Sequence, residues 1–514
     1  MTERMHISVT DNIDDMCDRA ELVLRNHPKV NVYQRGASLV QIQRHLSGVT
    51  IEPIRLATLT RLLSGTICWE KFKVDKKTGD ASSYGVLPPP EVVSAIHAAG
   101  RWEFRELRGL IHTPTLRTDG TILSKPGYDS QSGLFHAPSL PRLGVLPENP
   151  SLDDARKSLV VLDSAFVDFP FGGDEFKSAC YSCLLTLLIR PSIAGAIPVF
   201  AFEAPARGSG KSLLVRFVAT LATGREPSAA PPPRDEDEEN KRITVQIAKG
   251  ASLIWVDNVL GRFGSSSLAA LITAPFWDDR LIGGSASGPW PNLTTWLVTG
   301  NNLTFHPELA RRVVPIFLDT GMERPEQRTG FEHPNALAWA QSERAAVVAA
   351  GLTMLRAYVV AGRPPQAVQP YGSFEAWSDW VRSALVWAGM ADPCQARDRI
   401  TRETDSEEEA FGRMLVLWHQ AWKDSSKSLR EVMAVAKEEL LEAFEILAPG
   451  KGKDRIDITR LGYIFRANKG HPIGFLRCVA TGKCARGQQY SVKKAEQGAE
   501  NVVPMFPKAD KSTA

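Results

Sequence analysis

The stretch Ala204-Pro-Ala-Arg-Gly-Ser-Gly-Lys-Ser212 decides the fold prediction for this chain. It follows an apolar run, Ile197–Phe202, that predicts a buried strand, and it precedes a helical pattern over Leu213–Leu221. A strand, a glycine loop, a Lys-Ser pair and a helix in this order form the arrangement that holds the phosphates of a nucleoside triphosphate. The sequence therefore predicts that this loop binds ATP.

Each residue type in the loop fits a role in phosphate binding. Gly208 and Gly210 let backbone N–H groups turn inward around phosphate oxygens, and the following helix adds the positive end of its dipole. Lys211 is predicted to reach the β- and γ-phosphates, and Ser212 to offer its hydroxyl to Mg²⁺. The predicted nucleotide-binding segment comprises Pro205, Ala206, Arg207, Gly208, Ser209, Gly210, Lys211 and Ser212.

The loop departs from the usual pattern G-x-x-x-x-G-K-[ST] at its first position, where Pro205 replaces glycine. Proline fixes φ near about −65° and donates no N–H. We expect the replacement to cost little if the chain bends there without a positive φ. The alternative is an ordinary Gly/Ser turn before a core helix, and the strand and helix on the two sides argue against it.

The bulk composition is that of an ordinary globular protein, with 43% hydrophobic and 23% charged residues in 514. A net charge of +3 gives no global basic field, so any nucleic-acid surface has to be local. No apolar run reaches transmembrane length, and the start of the chain is acidic, so we expect neither a signal peptide nor a membrane anchor but a cytoplasmic protein. The seven cysteines are scattered, as in a reducing compartment.

The chain is predicted to be an α/β protein of several domains. Residues 1–145 mix short strands and helices and form an α+β accessory domain, and residues 150–335 alternate helices and apolar strands around a parallel sheet. A helical region over 336–425 precedes helices and a β-rich end over 426–495. The polar tail, 496–514, is predicted to be disordered.

Three local patterns carry their own predictions. Arg35-Gly36 between two alternating runs predicts a β-hairpin. The acidic run Asp235–Glu239 predicts a solvated helix start, where carboxylates suit the dipole. Cys180 and Cys183 lie in an apolar helical run with no second cysteine pair nearby, which favours buried thiols over metal ligands.

Two further strands extend the predicted ATP site. The apolar strand Leu253–Val256 ends in Asp257, which is expected to hold Mg²⁺ through water. The strand Thr294–Thr299 is followed by Gly300 and then by Asn301 and Asn302, whose amides can orient the attacking water or contact the γ-phosphate. A strand that merely ends in an Asp-Asn turn is the alternative, and the position after a phosphate loop argues against it.

Arg311 and Arg312 precede the next apolar strand, Val313–Leu318. An arginine at this position suits a finger that neutralises transition-state charge on the ATP of a neighbouring subunit. A surface arginine pair at a helix end is the alternative for either residue alone. The order and spacing of the motifs favour the finger.

Asn258 follows the Mg²⁺-linked Asp257, where most ring-forming ATPases have a glutamate that acts as a base. An asparagine amide orients water but does not accept its proton. Either another carboxylate does this work, with Glu203 and Asp278 as candidates, or hydrolysis is slow. Both possibilities stay open at the level of sequence.

Several stretches together resemble the helicase part of phage and prophage replication proteins, the primase–helicase type related to superfamily 3 and AAA+ ATPases. The resemblance covers residues 1 to about 335 well and the C-terminal part loosely. It is carried by Arg117–Thr121, Pro126–Leu134, Gly208–Ser212, Trp255–Val259, Trp277–Arg280, Thr299–Asn302, Ala310–Arg312 and Glu323–Arg328.

The resemblance implies a P-loop ATPase core and a hexameric ring that acts on single-stranded or forked DNA. It implies that Lys211, Ser212 and Asp257 bind MgATP, that Asn301 or Asn302 senses the γ-phosphate, and that Arg311 or Arg312 is the finger. In this group Asp-Asn in place of Asp-Glu is common, which bears on Asn258. No zinc-binding cysteine set or clear acidic triad indicates a primase, so a primase is expected on another polypeptide or is lost.

Two regions are candidates for DNA contact. Phe276–Arg280, with Gly283–Ser285 after it, is a candidate pore loop in which Arg280 contacts phosphate and Trp277 stacks on a base. The alternative is a packed Trp277 and an Arg280 paired to Asp279.

A helix over Ile456–Phe465, a strand, a basic turn over Thr481–Gly487 and a second strand have the outline of a winged helix. A solvated basic rim is the alternative. The basic residues that suit backbone phosphates are Arg466, Lys469, Lys483, Arg486, Lys493 and Lys494.

These features lead to one main functional hypothesis, an ATP-driven DNA helicase or translocase in the replication of a phage, prophage or mobile element. The alternative is an ATP-gated DNA-binding or loader protein that recruits other replication proteins and hydrolyses little ATP, as Asn258 would permit. A small-molecule kinase is a weaker third hypothesis, because the finger-like arginines and the winged-helix outline serve no purpose there.

Overall fold

The computed structural model describes residues 4–28, 30–45, 48–74, 81–139, 143–144, 146–279, 288–301, 303–450, 455–470, 472–473, 475–485 and 487–494. Arg280, Gly283–Ser285, Asn302, Arg486 and the predicted tail 496–514 lie outside these residues. The described chain divides into two compact units, Met1–Arg397 and Asp398–Ala514. None of its described helices is long and apolar enough to cross a membrane.

The first part of unit one is a set of small sheets and three helices. Its elements are β1 (Met5–Ser8), α1 (Ile13–Asn26), β2 (Val32–Arg35), β3 (Ser38–His45), β4 (Gly48–Pro53), α2 (Leu56–Thr66), β5 (Ile67–Val74), β6 (Ala81–Val86), α3 (Pro90–Ala98), β7 (Gly109–Ile111), β8 (Thr115–Leu116), β9 (Ile122–Leu123), β10 (Gly127–Asp129) and β11 (Leu134–His136).

The hairpin prediction at Arg35-Gly36 is confirmed. Strands β2 and β3 pair antiparallel with Arg35 opposite Ser38, and Gly36 in the two-residue turn has a φ of 59°. The core of this part forms where helices α1–α3 pack on β1 and β5, around Ile7, Leu59 and Trp69.

The second part of unit one is built on a parallel sheet and its covering helices. Its elements are α4 (Leu152–Ala165), α5 (Asp174–Ile189), β12 (Val199–Glu203), α6 (Lys211–Thr223), β13 (Ala229–Ala230), α7 (Glu236–Ala248), β14 (Leu253–Val259), β15 (Arg262–Phe263), α8 (Ser266–Thr273), β16 (Phe276–Trp277), β17 (Trp290–Pro291), β18 (Thr295–Gly300), β19 (Thr304–Phe305), α9 (Pro307–Ala310), β20 (Val313–Phe317), α10 (Ala336–Val360), α11 (Glu375–Trp377) and α12 (Ser383–Ala388).

The five strands of the central sheet run parallel in the order β13-β14-β18-β12-β20. Every residue of β12 and β18 is buried, as expected for parallel strands covered on both faces. Because the strands are parallel, the residues that follow β12, β14 and β18 meet at one edge of the sheet, which we call the carboxyl edge.

Two sequence predictions about the helices are confirmed. Cys180 and Cys183 on α5 are both fully buried, and burial raises the pKa of each thiol. The acidic run begins helix α7, where the Asp235 carboxylate accepts a hydrogen bond of 2.8 Å from the Glu238 N–H. The last residue of this run, Glu239, is not solvated as predicted: it is buried and accepts a hydrogen bond from the Ser265 hydroxyl.

Unit two surrounds its own core with four helices and an antiparallel sheet in the order β21-β24-β23-β22. Its elements are α13 (Asp398–Trp422), β21 (Lys427–Ser428), α14 (Leu429–Val435), α15 (Glu438–Leu447), α16 (Ile458–Ala467), β22 (Pro472–Ile473), β23 (Leu476–Cys484) and β24 (Gly487–Lys494). Helix α13, which the sequence analysis grouped with the helices before it, packs in this core through Phe411 and Trp418.

The predicted basic turn over Thr481–Gly487 is wrong in its extent. Strand β23 continues to Cys484, which pairs with Gly487, the first residue of β24, so most of the predicted turn is strand. The prediction is wrong because glycine is typical of turns, so Gly482 resembles a turn residue in the sequence. In the structure Gly482 lies inside the strand, just after a register shift that follows Ala480.

Phe465 of α16 is the centre of the aromatic core of unit two, within 5.0–6.4 Å of four other rings, those of Phe411, Trp418, Phe444 and Tyr490. We expect Phe465→Ala to lower the free energy of unfolding by about 3–5 kcal/mol. The neighbouring control, Phe475→Ala, should change it by less than about 0.5 kcal/mol because Phe475 is 68% exposed. Denaturant unfolding measures both, and equal losses would contradict the packing described.

Candidate active site

The phosphate loop follows β12 at the carboxyl edge and bends at its two predicted glycines. Gly208 has a φ of 77° and Gly210 a φ of 90°, and Gly210 precedes the first residue of α6. No other loop residue from Ala204 to Ser212 has a positive φ. Pro205 therefore stands where glycine's conformational freedom is not required, as the sequence analysis expected.

Two polar side chains bond to the loop itself. The Ser209 hydroxyl donates a hydrogen bond of 2.7 Å to the carbonyl of Ala206, and the Lys211 ammonium donates one of 3.2 Å to the same oxygen. Burial lowers the pKa of Lys211, and the Asp257 carboxylate acts in the opposite direction. The ammonium thus lies inside the loop, where a bound phosphate would add the negative charge that favours its protonated form.

Ser212 and Asp257 come together at the carboxyl edge. The Ser212 hydroxyl donates a hydrogen bond of 2.9 Å to Oδ1 of Asp257. A hydroxyl and a carboxylate are hard oxygen donors, and Mg²⁺ is usually held by one or two such groups together with waters and substrate phosphates. The donor set therefore fits Mg²⁺.

Thr299, the penultimate residue of β18, holds this arrangement in place. Its buried hydroxyl donates to Asp257 Oδ1 and accepts from the backbone N–H of Asn258 at 3.1 Å and from the indole N–H of Trp255 at 3.4 Å. One donor and two acceptor positions exhaust what a threonine hydroxyl offers. Thr299 has no role in the sequence predictions, because β18 contains two threonines, Thr295 and Thr299, and only the fold shows which one meets Asp257.

Asn258 is exposed and has a φ of 57°, a left-handed conformation that costs a non-glycine residue about 1 kcal/mol. The pairing of β14 with β18 shifts register between Val256 and Val259, so Asp257 and Asn258 leave the ladder at the carboxyl edge. Asn258 therefore lies at the same edge as Asp257, and its exposed side chain is available to orient a water.

Asn301 and Glu203 lie side by side at the same edge. Glu203 ends β12 opposite Gly300, the residue before Asn301, and is only 2% exposed. Oδ1 of Asn301 is buried and accepts no hydrogen bond from the described part of the chain. A buried amide oxygen without a donor suits a bound water or ligand.

Asp278, the other candidate base, is not at this edge. It follows β16 in a two-stranded ribbon with β17, and the chain enters β18 directly from that ribbon. The ribbon therefore lies toward the amino ends of the strands, opposite the phosphate loop. This position separates Asp278 from the phosphate loop of its own chain and leaves Glu203 as the candidate base at that edge.

Arg311 and Arg312 also lie at the amino ends of the strands. The carbonyl of Arg312 accepts a hydrogen bond of 2.9 Å from Val199, the first residue of β12. The Arg312 guanidinium donates to the carbonyl of Ala269 and, at 3.3 Å, to the Thr273 hydroxyl, whereas Arg311 is exposed. Neither arginine is placed to reach the phosphate loop of its own chain.

The structure describes part of each candidate DNA-contact region, including Trp277 in the first and most of the basic residues in the second. The Trp277 indole is half-buried and donates a hydrogen bond of 2.9 Å to the Thr244 hydroxyl, which is the packed alternative for this residue, while Phe276 is exposed. The predicted phosphate-contact residues that the structure describes in unit two are exposed: Arg466, Lys469, Lys483, Lys493 and Lys494.

Glu326, within the stretch Glu323–Arg328 that carries part of the resemblance, is a neighbour of the phosphate loop that the sequence did not indicate. A Cβ added at Gly208 would lie 3.2 Å from Cβ and 3.3 Å from Oε2 of Glu326. The turn Pro325–Gln327, which follows β20, therefore packs against the loop and supplies a second reason for glycine at 208. No sequence pattern links residues so far apart.

The comparisons with known proteins give only distant likenesses. No protein-family model matches the chain, and no curated protein matches it. The chain is similar to the solved NrS-1 C-terminal region, with 12% identity, 86% of this chain and 99% of that chain covered, and a TM-score of 0.35. It is also similar to an active helicase, SCCmec type IV Cch, with 12% identity, 75% and 78% coverage, and a TM-score of 0.31.

A third solved structure, JCV helicase, covers 51% of this chain and 70% of its own, with 14% identity and a TM-score of 0.21. All three TM-scores are below 0.5 and carry no argument about this chain. The function is therefore inferred from the geometry at the carboxyl edge.

Thr299→Val tests the role of the buried hydroxyl. We expect it to lower the free energy of unfolding by about 1–3 kcal/mol, because the N–H groups of Asn258 and Trp255 lose their acceptor. It should also weaken Mg²⁺-dependent nucleotide binding, measured by titration with a fluorescent ATP analogue.

Thr295→Val on the same strand is the matched control. The Thr295 hydroxyl is buried and has no hydrogen-bond partner in the described chain, so a methyl group should be neutral or stabilising there. If Thr299→Val and Thr295→Val change the free energy of unfolding and the nucleotide affinity equally, the Thr299 hydroxyl does not hold the site residues in place.

Proposed function

We propose that this protein is an ATP-dependent DNA helicase or translocase that hydrolyses ATP between the subunits of a ring. One observation carries the proposal: the phosphate loop, the Ser212–Asp257–Thr299 hydrogen bonds and the open amide oxygen of Asn301 meet at a single edge of a parallel sheet. Such an edge is where α/β sheets bind nucleotides.

The proposed roles follow from the positions of the side chains. Backbone N–H groups around Gly208 and Gly210 and the start of α6 bind the phosphates, and Lys211 contacts the β- and γ-phosphates. Ser212 directly and Asp257 through water hold Mg²⁺, which neutralises charge as the γ-phosphoryl group transfers. Asn258 and Asn301 orient the attacking water.

Glu203 is the proposed acceptor of the water's proton, because Asn258 cannot take it. It is a buried carboxylate at the end of β12, beside the strand that leads to Asn301. A carboxylate at this position does the work of the glutamate that is missing after Asp257.

The arginine finger is proposed to be Arg311, acting on the ATP of the neighbouring subunit. Arg312 is bonded to α8 of its own chain, whereas Arg311 is exposed at the edge opposite its own phosphate loop. A finger at that edge works only in trans, and the need for a neighbour supports a ring, which we propose to be a hexamer.

The substrate is proposed to be single-stranded or forked DNA in the replication of a phage, prophage or mobile element, in the cytoplasm, with a primase supplied by a separate protein. Residues 426–495 would contact the backbone through the exposed basic side chains of α16, β23 and β24. The other proposed domains are the accessory domain 1–145, the ATPase core 150–335 and a helical region that begins at 336 and ends before α13, which packs in unit two.

A second function, an ATP-gated DNA loader with little hydrolysis, is favoured by one observation. Asn258 occupies a strained left-handed position beside the Mg²⁺ ligands without being able to act as a base. ATP-dependent DNA binding without turnover would support the loader, and DNA-stimulated turnover with unwinding of a forked duplex supports the helicase.

Lys211→Ala is expected to reduce ATP turnover by about 100-fold or more, because the γ-phosphate loses its cationic contact during transfer. The control Lys241→Ala changes an exposed lysine on α7 and should keep the wild-type rate. Phosphate release is measured with and without single-stranded DNA. If Lys211→Ala hydrolyses ATP at the wild-type rate, the loop is not part of the ATPase site.

Arg311→Ala is expected to bind ATP normally and to lose most of its ATP turnover. The reason is that the guanidinium of the neighbouring subunit no longer neutralises the charge of the transition state. Mixing it with Lys211→Ala subunits creates some interfaces that have both an intact loop and an intact finger. The mixture should therefore recover part of the activity that each variant lacks alone. No recovery on mixing, under conditions where the variants co-assemble, would rule out a finger in trans.

A further inference from the structure

A small cavity of about 50 Å³ in unit one, away from the carboxyl edge, is lined by three arginines. Arg35 ends β2 of the first part, Arg108 lies just before β7, and Arg190 follows α5 of the second part. The backbone at Gly250 and Leu293 completes the wall near the amino ends of β14 and β18. Three positive charges thus line one small space.

Two of these guanidinium groups are buried with donors unused. Arg35 is 1% and Arg190 5% exposed, and the Nε of each is buried without an acceptor in the described chain. Their other recorded bonds go to backbone carbonyls: Arg35 to Ala248 at 2.7 Å, and Arg190 to Ile193 at 3.0 Å and Asn292 at 2.7 Å. Within the described ranges, neither forms an ion pair with a carboxylate.

Arg344 shows that a buried arginine need not leave donors open. It is 2% exposed and likewise has no recorded carboxylate partner among the described residues. Its three nitrogens nevertheless all donate, to the carbonyls of Leu221 and Ala222 and to the hydroxyls of Thr113 and Ser139. Buried Nε groups without an acceptor in the described chain also occur on Arg312 and Arg477, but those side chains are only partly buried and do not line the cavity.

Burying a guanidinium ion without a counter-charge is unfavourable by several kcal/mol. Burial lowers the pKa of Arg35 to about 10 and that of Arg190 to about 10, and the charge of Arg108 acts on Arg190 in the same direction. An anion in the cavity would offset this cost and supply acceptors for the open Nε groups.

We propose that the cavity binds a small tetrahedral oxyanion, a free phosphate ion, held by Arg35, Arg108 and Arg190. A volume of about 50 Å³ corresponds to roughly four water-sized spheres, which suits one such ion. The bound ion joins the first part of unit one to the sheet part, so it acts as a structural clamp. This site is independent of the proposed ATPase.

The test is equilibrium dialysis of the full chain against radiolabelled inorganic phosphate, with saturating Mg²⁺ and ADP to fill the phosphate loop. We expect about one phosphate per chain, displaced by sulfate but not by AMP. Arg190→Gln and the half-buried Arg108→Gln should each weaken binding about tenfold or more. Arg108→Gln keeps the test decisive if the buried variant does not fold.

Arg105→Gln is the matched control, because Arg105 is exposed on the same segment and does not line the cavity. It should bind phosphate as the wild type does. No phosphate bound with the loop filled, displacement by AMP, or equal affinity in Arg108→Gln and Arg105→Gln would each overturn the proposal.

Discussion

The position of strand β18 between β12 and β14 is the constraint on which the site depends. Because the three strands are parallel and adjacent, the phosphate loop, Asp257 and Asn301 end at the same edge. The Thr299 hydroxyl then joins β18 to both residues that leave β14, Asp257 and Asn258. All the hydrogen-bonding positions of this hydroxyl are used, so it has one favoured orientation. That orientation in turn sets the orientation of the Asp257 carboxylate, the predicted Mg²⁺ ligand.

Features set by local chemistry were predictable from the sequence. The apolar runs before Ala204, Asp257 and Gly300 are strands, the acidic run at Asp235 starts a helix, and Arg35-Gly36 makes a hairpin turn. The two loop glycines adopt the positive φ expected of them. In each case the deciding interaction lies within a few residues, so a short window of sequence contains the information.

Features set by strand order were not predictable in the same way. Asp278 and Arg312 are separated from the site because they lie at the amino ends of strands whose carboxyl ends form it. Glu326 lies beside Gly208 because β20 pairs parallel with β12, so the segments that follow both strands start at the same edge. Spacing along the sequence does not state which end of a strand a residue will occupy.

The central claim is that Ser212 and Asp257 form one metal site beside the phosphate loop. Crystals of the protein with Mn²⁺ and a non-hydrolysable ATP analogue test it most directly through the anomalous scattering of the metal. We predict a single peak bonded to the Ser212 hydroxyl and to a triphosphate oxygen, with Asp257 bound directly or through one water. A peak elsewhere, or a triphosphate bound away from Gly208–Ser212, would contradict the account.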